Sequence, residues 1–229
     1  MGHVRIQTKM TVAWLSAVAL IGGLAAWMAP ANAATPAPFA CTSTAGAFTP
    51  ASAVISHVGS VSVVAVGRSA SGGMGTPPLT DAGKHEVAWY NGSSRPGTGS
   101  GGVAADVHTW PDRSALGNQL LRSLVPGDIV ELVGAAGARH VCYRVTARQV
   151  YAPSNLPMSR IIYGNGHGQI LSIVACSGTR LGPGNWSQRT VWTAQAIPPP
   201  APRPTPTPTP TPTSTPSGGL LGGLLGGLL

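Results

Sequence analysis

Short apolar segments separated by glycine and proline occupy the middle of the chain. Residues 58–66, VGSVSVVAV, alternate valine with serine, a period of two that is typical of a strand with one buried face. Gly134 and Gly137 bracket a tight turn between two later apolar segments and predict a hairpin there. The pattern predicts seven or eight strands, and the further segments of strand length are residues 86–90, 102–107, 128–134, 139–151, 169–175 and 189–197.

Helical periodicity is confined to two short segments. In residues 115–124, ALGNQLLRSL, the leucines at 116, 120, 121 and 124 recur at helical spacing and predict a helix. Residues 159–163 predict a helical turn. Strands therefore dominate, and a mainly β domain that closes into an antiparallel or mixed barrel would leave no exposed sheet edge. The pattern alone would also fit a β-sandwich.

The amino-terminal residues 1–33 are typical of an export signal. A basic start with His3, Arg5 and Lys9 precedes an apolar stretch at 11–29 and an Ala-x-Ala site that ends at Ala33. About 20 apolar residues could also stay in the bilayer as an anchor. The sequence leaves two locations open: the extracytoplasmic cell surface, anchored in the cell membrane by this segment, or secretion after cleavage behind Ala33.

Composition changes again after the apolar segments end. Residues 198–217 are a Pro/Thr-rich linker that favours extended polyproline II structure, and residues 218–229 repeat GGLL. Twelve residues are too few for a membrane-spanning helix. With residues 34–51 as a second linker, the folded domain is predicted at residues 52–197.

Charge excludes some functional classes. The chain has 14 Lys+Arg against 6 Asp+Glu, a formal charge of +8 at pH 7. Its arginines are scattered, with no basic run or zinc-finger spacing, so no nucleic-acid partner is predicted. The six acids form no calcium-binding pattern, so the sequence predicts neither a metal nor another cofactor.

Three reactive side chains follow or precede predicted strands. The apolar run at 169–175 ends at Cys176, before Ser177, and the run at 189–197 opens with Arg189. The run at 102–107 delivers His108. Cysteine, histidine and arginine at strand ends predict a thiol-nucleophile site. Cys176 could instead be a buried core cysteine with a structural role only. The alternative candidates for the catalytic histidine and arginine are His167 and Arg180.

The segments that carry these residues resemble sortases, the cysteine transpeptidases of the Gram-positive cell surface. The matches are VH at 107–108, SIVAC at 172–176 and QRTVWTA at 188–194, with flanking likeness at 83–90, 96–102 and 124–132. The likeness covers about residues 52–197 and is greatest to the class E and F sortases of high-GC Gram-positive bacteria. It implies a sortase-like closed β-barrel. One departure is Ala175, where the family usually has Thr.

The resemblance also implies a reaction and partners. Cys176 would attack a peptide carbonyl, His108 would act as acid and base, and Arg189 would stabilise the oxyanion. Substrates would be secreted proteins with a C-terminal LPxTG-like sorting signal, cleaved between Thr and Gly. The acceptor would be an amine on peptidoglycan or a pilin. The expected substrate-binding residues are Trp110, Met158, Ala175 and Ser177.

Competing functions are weighed by the order of the motif residues. L,D-transpeptidases place Ser-x-Gly before the cysteine, whereas Ser177-Gly178 follows it here, and papain-like peptidases place the cysteine before the histidine. A catalytically weak or inactive wall-binding barrel stays open. Of the remaining cysteines, Cys41 and Cys142 could form a disulfide in an exported chain or be two independent buried thiols.

Overall fold

A computed structural model describes residues 41–201 of the chain, and the leader at 1–33 and the tail at 218–229 lie outside them. Within residues 41–201 the chain forms eight strands and two α-helices. The strands are β1 (Pro50–Ile55), β2 (Gly59–Val66), β3 (Val87–Tyr90), β4 (Gly101–Val107), β5 (Ile129–Gly134), β6 (His140–Tyr151), β7 (Gln169–Gly182) and β8 (Asn185–Ala196). The helices are α1 (Leu116–Ser123) and α2 (Met158–Tyr163).

The eight strands close into one barrel in the order β1-β2-β3-β4-β7-β8-β6-β5. Two pairs, β2 with β3 and β4 with β7, are parallel, and the other pairs are antiparallel. The predicted closed barrel with one or two short helices is therefore confirmed, and the sandwich alternative is wrong. Closure pairs every strand on both sides, which removes the exposed edge that a sandwich would leave.

Alternating side chains of the strands fill the barrel interior. Trp192, Tyr143, Leu171 and Ile173 are among its buried members. Helix α1 turns its apolar face to the same cluster through Leu116, Leu120 and Leu124, and the indole N–H of Trp192 donates to the Leu124 carbonyl at 3.0 Å. The leucine spacing recognised in the sequence is therefore the packing face of α1.

A second, smaller apolar cluster lies on the outer face of the barrel. It joins Ile161 of α2 to Ala104, Val174 and Val191 on β4, β7 and β8. Gly102 permits this packing, because a Cβ there would lie 2.7 Å from the Ile161 carbonyl oxygen. Helix α2 thus covers one part of the outer face of these three strands and leaves the other part to the loops around it.

Strand lengths correct three details of the sequence prediction. Strand β1 lies before the first strand that the alternation indicated, and its short PASAVI sequence begins with a proline. Strand β7 continues to Gly182 and β8 begins at Asn185. Cys176 and Arg189 are therefore inside long strands instead of at strand ends. The pairing register shifts after Ser177, and Gly178 adopts a φ of 77° at this irregularity.

A disulfide joins Cys41 to Cys142 on β6, across a sequence separation of 101. Beside it, the Ser43 hydroxyl donates to the Ile197 carbonyl and accepts from the Cys142 amide. The segment before β1 is thereby fixed to the barrel. Cys176 is the free cysteine of the described residues. Over residues 41–201, no helix combines the length and the apolar character that a membrane crossing requires.

Candidate active site

Strand register brings Cys176 and Arg189 together. The antiparallel pairing of β7 with β8 sets these two residues directly opposite each other. Directly opposed residues on neighbouring strands have Cβ atoms about 4.5–5.5 Å apart on one face of the sheet. Because Ala175 and Trp192 face the barrel interior, the alternation of side chains puts Cys176 and Arg189 on the outer face.

His108 reaches the same place from the other side of β7. Strand β4 runs parallel to β7 with Val107 opposite Ala175, so the chain leaves β4 at His108 beside Cys176. The Thr109 hydroxyl then donates to the Cys176 carbonyl at 2.7 Å. These contacts hold the chain that carries His108 against the strand that carries the thiol. The sequence predicted these three residues at one site, and the register of β4, β7 and β8 brings their positions to one part of the sheet.

Two further contacts orient His108. The Gly117 amide at the start of α1 donates to the His108 carbonyl at 2.8 Å, and a Cβ on Gly117 would collide with that carbonyl. The imidazole Nε2 lies 2.7 Å from the Pro77 carbonyl oxygen. Since a carbonyl oxygen can only accept, Nε2 carries a proton in this contact, and Nδ1 is left as the nitrogen that can exchange one.

An open groove of about 760 Å³ surrounds the three residues. Its floor is the outer face of β4, β7 and β8. Met74 and Leu79 from the β2–β3 connection form one wall, and Leu156 and Met158 form another. Apolar walls around a few polar groups are typical of a ligand-binding site.

A fourth polar group, Asp106, belongs to the groove. It lies two residues before His108 on β4, opposite Val174, and therefore shares the outer face with the reactive residues. Its half-buried carboxyl makes no hydrogen bond or ion pair with any described residue. The sequence interpretation missed it, although an acid inside the apolar segment GVAADV is a visible irregularity.

Electrostatics set the resting state of the thiol. Burial raises the pKa of Cys176, the Arg189 cation opposes that shift, and Asp106 adds to it. Burial likewise raises the pKa of Asp106 to about 8, against the lowering effect of Arg189. Cys176 therefore rests as a thiol, and a reaction at this sulfur needs a base such as His108.

The Arg189 guanidinium is tied to its own strand. One Nη1 group donates to the Trp186 carbonyl at 3.1 Å and to the Gln188 carbonyl at 2.9 Å. These bonds fix the direction of the side chain and leave its other N–H groups for a ligand. A fixed cation opposite a nucleophile can stabilise an oxyanion that develops there.

The residues predicted to bind substrate divide into two pairs. Trp110 and Met158 line the groove, and the Lys84 ammonium lies 4.3 Å from the centre of the Trp110 ring. Ala175 is fully buried in the barrel interior. Ser177 is also buried, and its hydroxyl accepts from Thr190 at 2.9 Å. Their alternation with the outward Cys176 turns both side chains inward, and a role of Ala175 and Ser177 in substrate binding stays a prediction.

The structure also separates the alternative residues. His167 lies before the start of β7, and a strand rises about 3.3 Å per residue, so it is far from Cys176. Arg180 lines the groove beyond the irregularity in β7. Among the described residues, Cys41, His140 and Cys142 form a group with metal-ligand atoms within 4.8 Å of one another. The disulfide occupies both sulfurs of that group.

No family model matches the chain, and no curated protein matches it by sequence. Among solved structures, a lid mutant of sortase A from Corynebacterium diphtheriae is similar, with 17% identity, a TM-score of 0.49, and coverage of 67% of this chain and 72% of that chain. The sortase C1 of Streptococcus agalactiae in complex with MTSET has 17% identity, a TM-score of 0.48 and coverage of 65% and 69%. The sortase C1 of Streptococcus suis has 17% identity, a TM-score of 0.48 and coverage of 66% and 74%. Likeness at this level does not assign a function.

Proposed function

We propose that this chain is a cysteine transpeptidase of the sortase type. The observation that carries the proposal is the register of β4, β7 and β8, which sets His108, Cys176 and Arg189 on one face of an open groove. The resemblance of the segments at 107–108, 172–176 and 188–194 to the family motifs supports it. The class E or F assignment stays a prediction.

The first half of the proposed reaction forms a thioester. His108 takes the Cys176 proton, and the sulfur attacks the carbonyl carbon of a peptide bond. Negative charge develops on the carbonyl oxygen, where the Arg189 guanidinium stabilises it. The C–N bond then breaks, the departing amine takes the proton from His108, and the acyl group stays on sulfur.

The second half regenerates the enzyme. An incoming amine attacks the thioester and loses its proton to His108, and the C–S bond breaks to leave the Cys176 thiolate, which regains a proton. Water in place of the amine would give hydrolysis. We further propose a secreted protein with an LPxTG-like sorting signal as donor, a peptidoglycan or pilin amine as acceptor, and a location at the cell surface, with the 1–33 segment as anchor or cleaved signal.

Mass spectrometry of the full-length protein with a Leu-Pro-Ala-Thr-Gly peptide and triglycine tests the proposal. A thioester adduct on Cys176 and a product that joins Thr to triglycine are expected, and Cys176→Ala is expected to form neither. Cys176→Ala should keep the far-ultraviolet circular dichroism of the native chain. A native protein that forms no adduct with a panel of sorting peptides, and whose Cys176 is alkylated slowly, would favour the inactive wall-binding barrel.

A further inference from the structure

Asp106 is the carboxyl group that lines the groove, and the proposed reaction assigns it no role. It lines the groove on the same face as His108 and Cys176, one strand away from the thiol. No described residue donates a hydrogen bond to its carboxyl or pairs with it. A half-buried carboxyl without a protein partner loses part of its hydration on folding, which disfavours its charged form.

The surroundings of Asp106 favour a neutral carboxyl near neutral pH. The groups that face the groove with it are His108 on the chain after β4, Cys176 and Arg180 on β7, and Arg189 on β8. The two walls from the loops contribute only apolar, glycine and hydroxyl side chains. Desolvation is the largest influence on the carboxyl, and it outweighs the Arg189 cation.

A neutral carboxyl has one O–H donor beside one acceptor oxygen. A peptide backbone presents the complementary pair, an N–H and a C=O. We propose that Asp106, in its protonated form, is a substrate-binding group that holds the backbone of an extended peptide beside the reacting bond through a paired donor and acceptor. This inference deepens and rests on the proposed peptide-transfer function, for which it specifies how the groove grips its substrate.

Position along the strands supports this role. Asp106 precedes His108 by two residues, and Val174 precedes Cys176 by two. At about 3.3 Å per residue, Asp106 lies about 7 Å along the strand direction from the level of Cys176, a distance that two residues of an extended peptide span. Arg189 holds the oxyanion end of the substrate and Asp106 a neighbouring peptide unit, so two fixed contacts would align the peptide between them.

Peptide binding to the full-length Cys176→Ala protein tests this, since no turnover can occur. Fluorescence anisotropy of a labelled Leu-Pro-Ala-Thr-Gly peptide measures Kd from about pH 5.5 to about pH 9.5. Adding Asp106→Ala should weaken binding about tenfold at low pH, the effect of one lost pair of hydrogen bonds. Adding Asp106→Asn, whose amide keeps a donor and an acceptor but cannot ionise, should bind within about twofold of the Asp106 protein at low pH.

The pH profile separates this role from a merely structural one. Binding by the Asp106 protein should weaken as pH rises through the range where the carboxyl ionises, whereas Asp106→Asn should bind equally well throughout. Equal binding by Asp106→Ala and the Asp106 protein would overturn the proposal, as would a loss with Asp106→Asn equal to that with Asp106→Ala. A peptide that fails to bind Cys176→Ala also overturns it.

A kinetic readout on the Cys176 enzyme separates this proposal from the parent function. Asp106→Ala is expected to raise KM about tenfold with kcat changed less than about threefold. If the peptide binds with the predicted pH dependence but no thioester forms on Cys176, the transfer function fails while the peptide-holding role stands. If the thioester forms and Asp106→Ala leaves KM and Kd unchanged, the transfer function stands and the peptide-holding role fails.

Discussion

The polar side chain at the start of strand β7 has hydrogen-bond partners within the protein, whereas that of Cys176 further along the strand has none among the described residues. At the first residue, buried Gln169 uses both ends of its amide: Oε1 accepts from the Gly97 amide at 2.9 Å and from the Tyr143 hydroxyl at 2.8 Å, and Nε2 donates to the Arg95 carbonyl at 2.8 Å. Every buried polar side-chain atom of the described residues has a partner. This end of the barrel is complete without a ligand.

Seven residues further along the same strand, the Cys176 side chain makes no hydrogen bond among the described residues, and neither does that of Asp106 on the neighbouring strand. Both are half-buried in the groove and have raised pKa values because burial is not compensated. Polar groups that fold against one another stabilise the barrel, whereas polar groups left without partners beside an open groove are available to a ligand.

The largest expected effect on stability comes from the Cys41–Cys142 disulfide. Replacing both Cys41 and Cys142 by Ala should lower the free energy of unfolding by about 4 kcal/mol, because the disulfide closes a loop of about 100 residues in the unfolded chain. Urea unfolding measures the change. The rate of Cys176 alkylation in the folded variant should stay unchanged, and a loss below about 1 kcal/mol would show that the disulfide contributes little.

Arg189→Ala is expected to have the next largest effect, and it acts at the groove. Loss of the cation opposite Cys176 should lower kcat/KM roughly 100- to 1000-fold, about 3–4 kcal/mol of transition-state stabilisation. The free energy of unfolding should change by less than about 1 kcal/mol, since the guanidinium contacts only carbonyls of its own strand. Steady-state kinetics and urea unfolding measure both. Arg180→Ala is the control, and an equal loss there would remove the special role of Arg189.

Gln169→Leu should separate folding from chemistry. The substitution leaves the Gly97 amide and the Arg95 carbonyl without their side-chain partner, which should cost about 2 kcal/mol of stability. Thioester formation by the folded fraction should not change. Gln149→Leu, at an exposed position on β6, is the matched control and should change stability by less than about 0.5 kcal/mol. Equal effects of the two substitutions would contradict the importance of the buried network.

The smallest effect is a dependence of stability on pH at Asp106. Its pKa of about 8 in the folded state is above the value of 3.8 for the free side chain, so the folded protein holds a proton that the unfolded chain has released. Stability should therefore fall as pH rises from about 4 to about 8. Asp106→Asn should remove on the order of 1 kcal/mol of this loss, allowing for partial exposure to water.

For the exposed Asp112 we expect the opposite dependence of stability on pH, so Asp112→Asn is the control. Hydrogen bonds from the Ser114 amide and hydroxyl lower the pKa of Asp112, so its contribution to stability is lost as pH falls. Urea unfolding at about pH 4, 6.5 and 9 compares the Asp106→Asn and Asp112→Asn proteins. A pH dependence for Asp106→Asn that matches the native chain would show that the carboxyl ionises normally in the folded protein.

Local patterns predicted most of the elements but not their ends. The leucines of α1 and the alternating valines of β2 report a local period that neighbouring residues alone create. The extension of β7 past Cys176 depends instead on partners in β8, which continue the ladder through Trp186 and Asn185. Strand β1 escaped prediction for the same reason, because its short apolar segment is a strand through its pairing with β2 and β5.

By itself, the sequence determined which residues have reactive chemistry and that a mainly β domain would carry them, because residue type and local periodicity are written in the chain. Only the tertiary structure decided which side chains meet. The parallel pairing of β4 with β7 and the antiparallel pairing of β7 with β8 set the outward faces of His108, Cys176 and Arg189 side by side. The same register turned Ala175 inward and Asp106 outward, since a shift of one residue along a strand reverses the face that a side chain occupies.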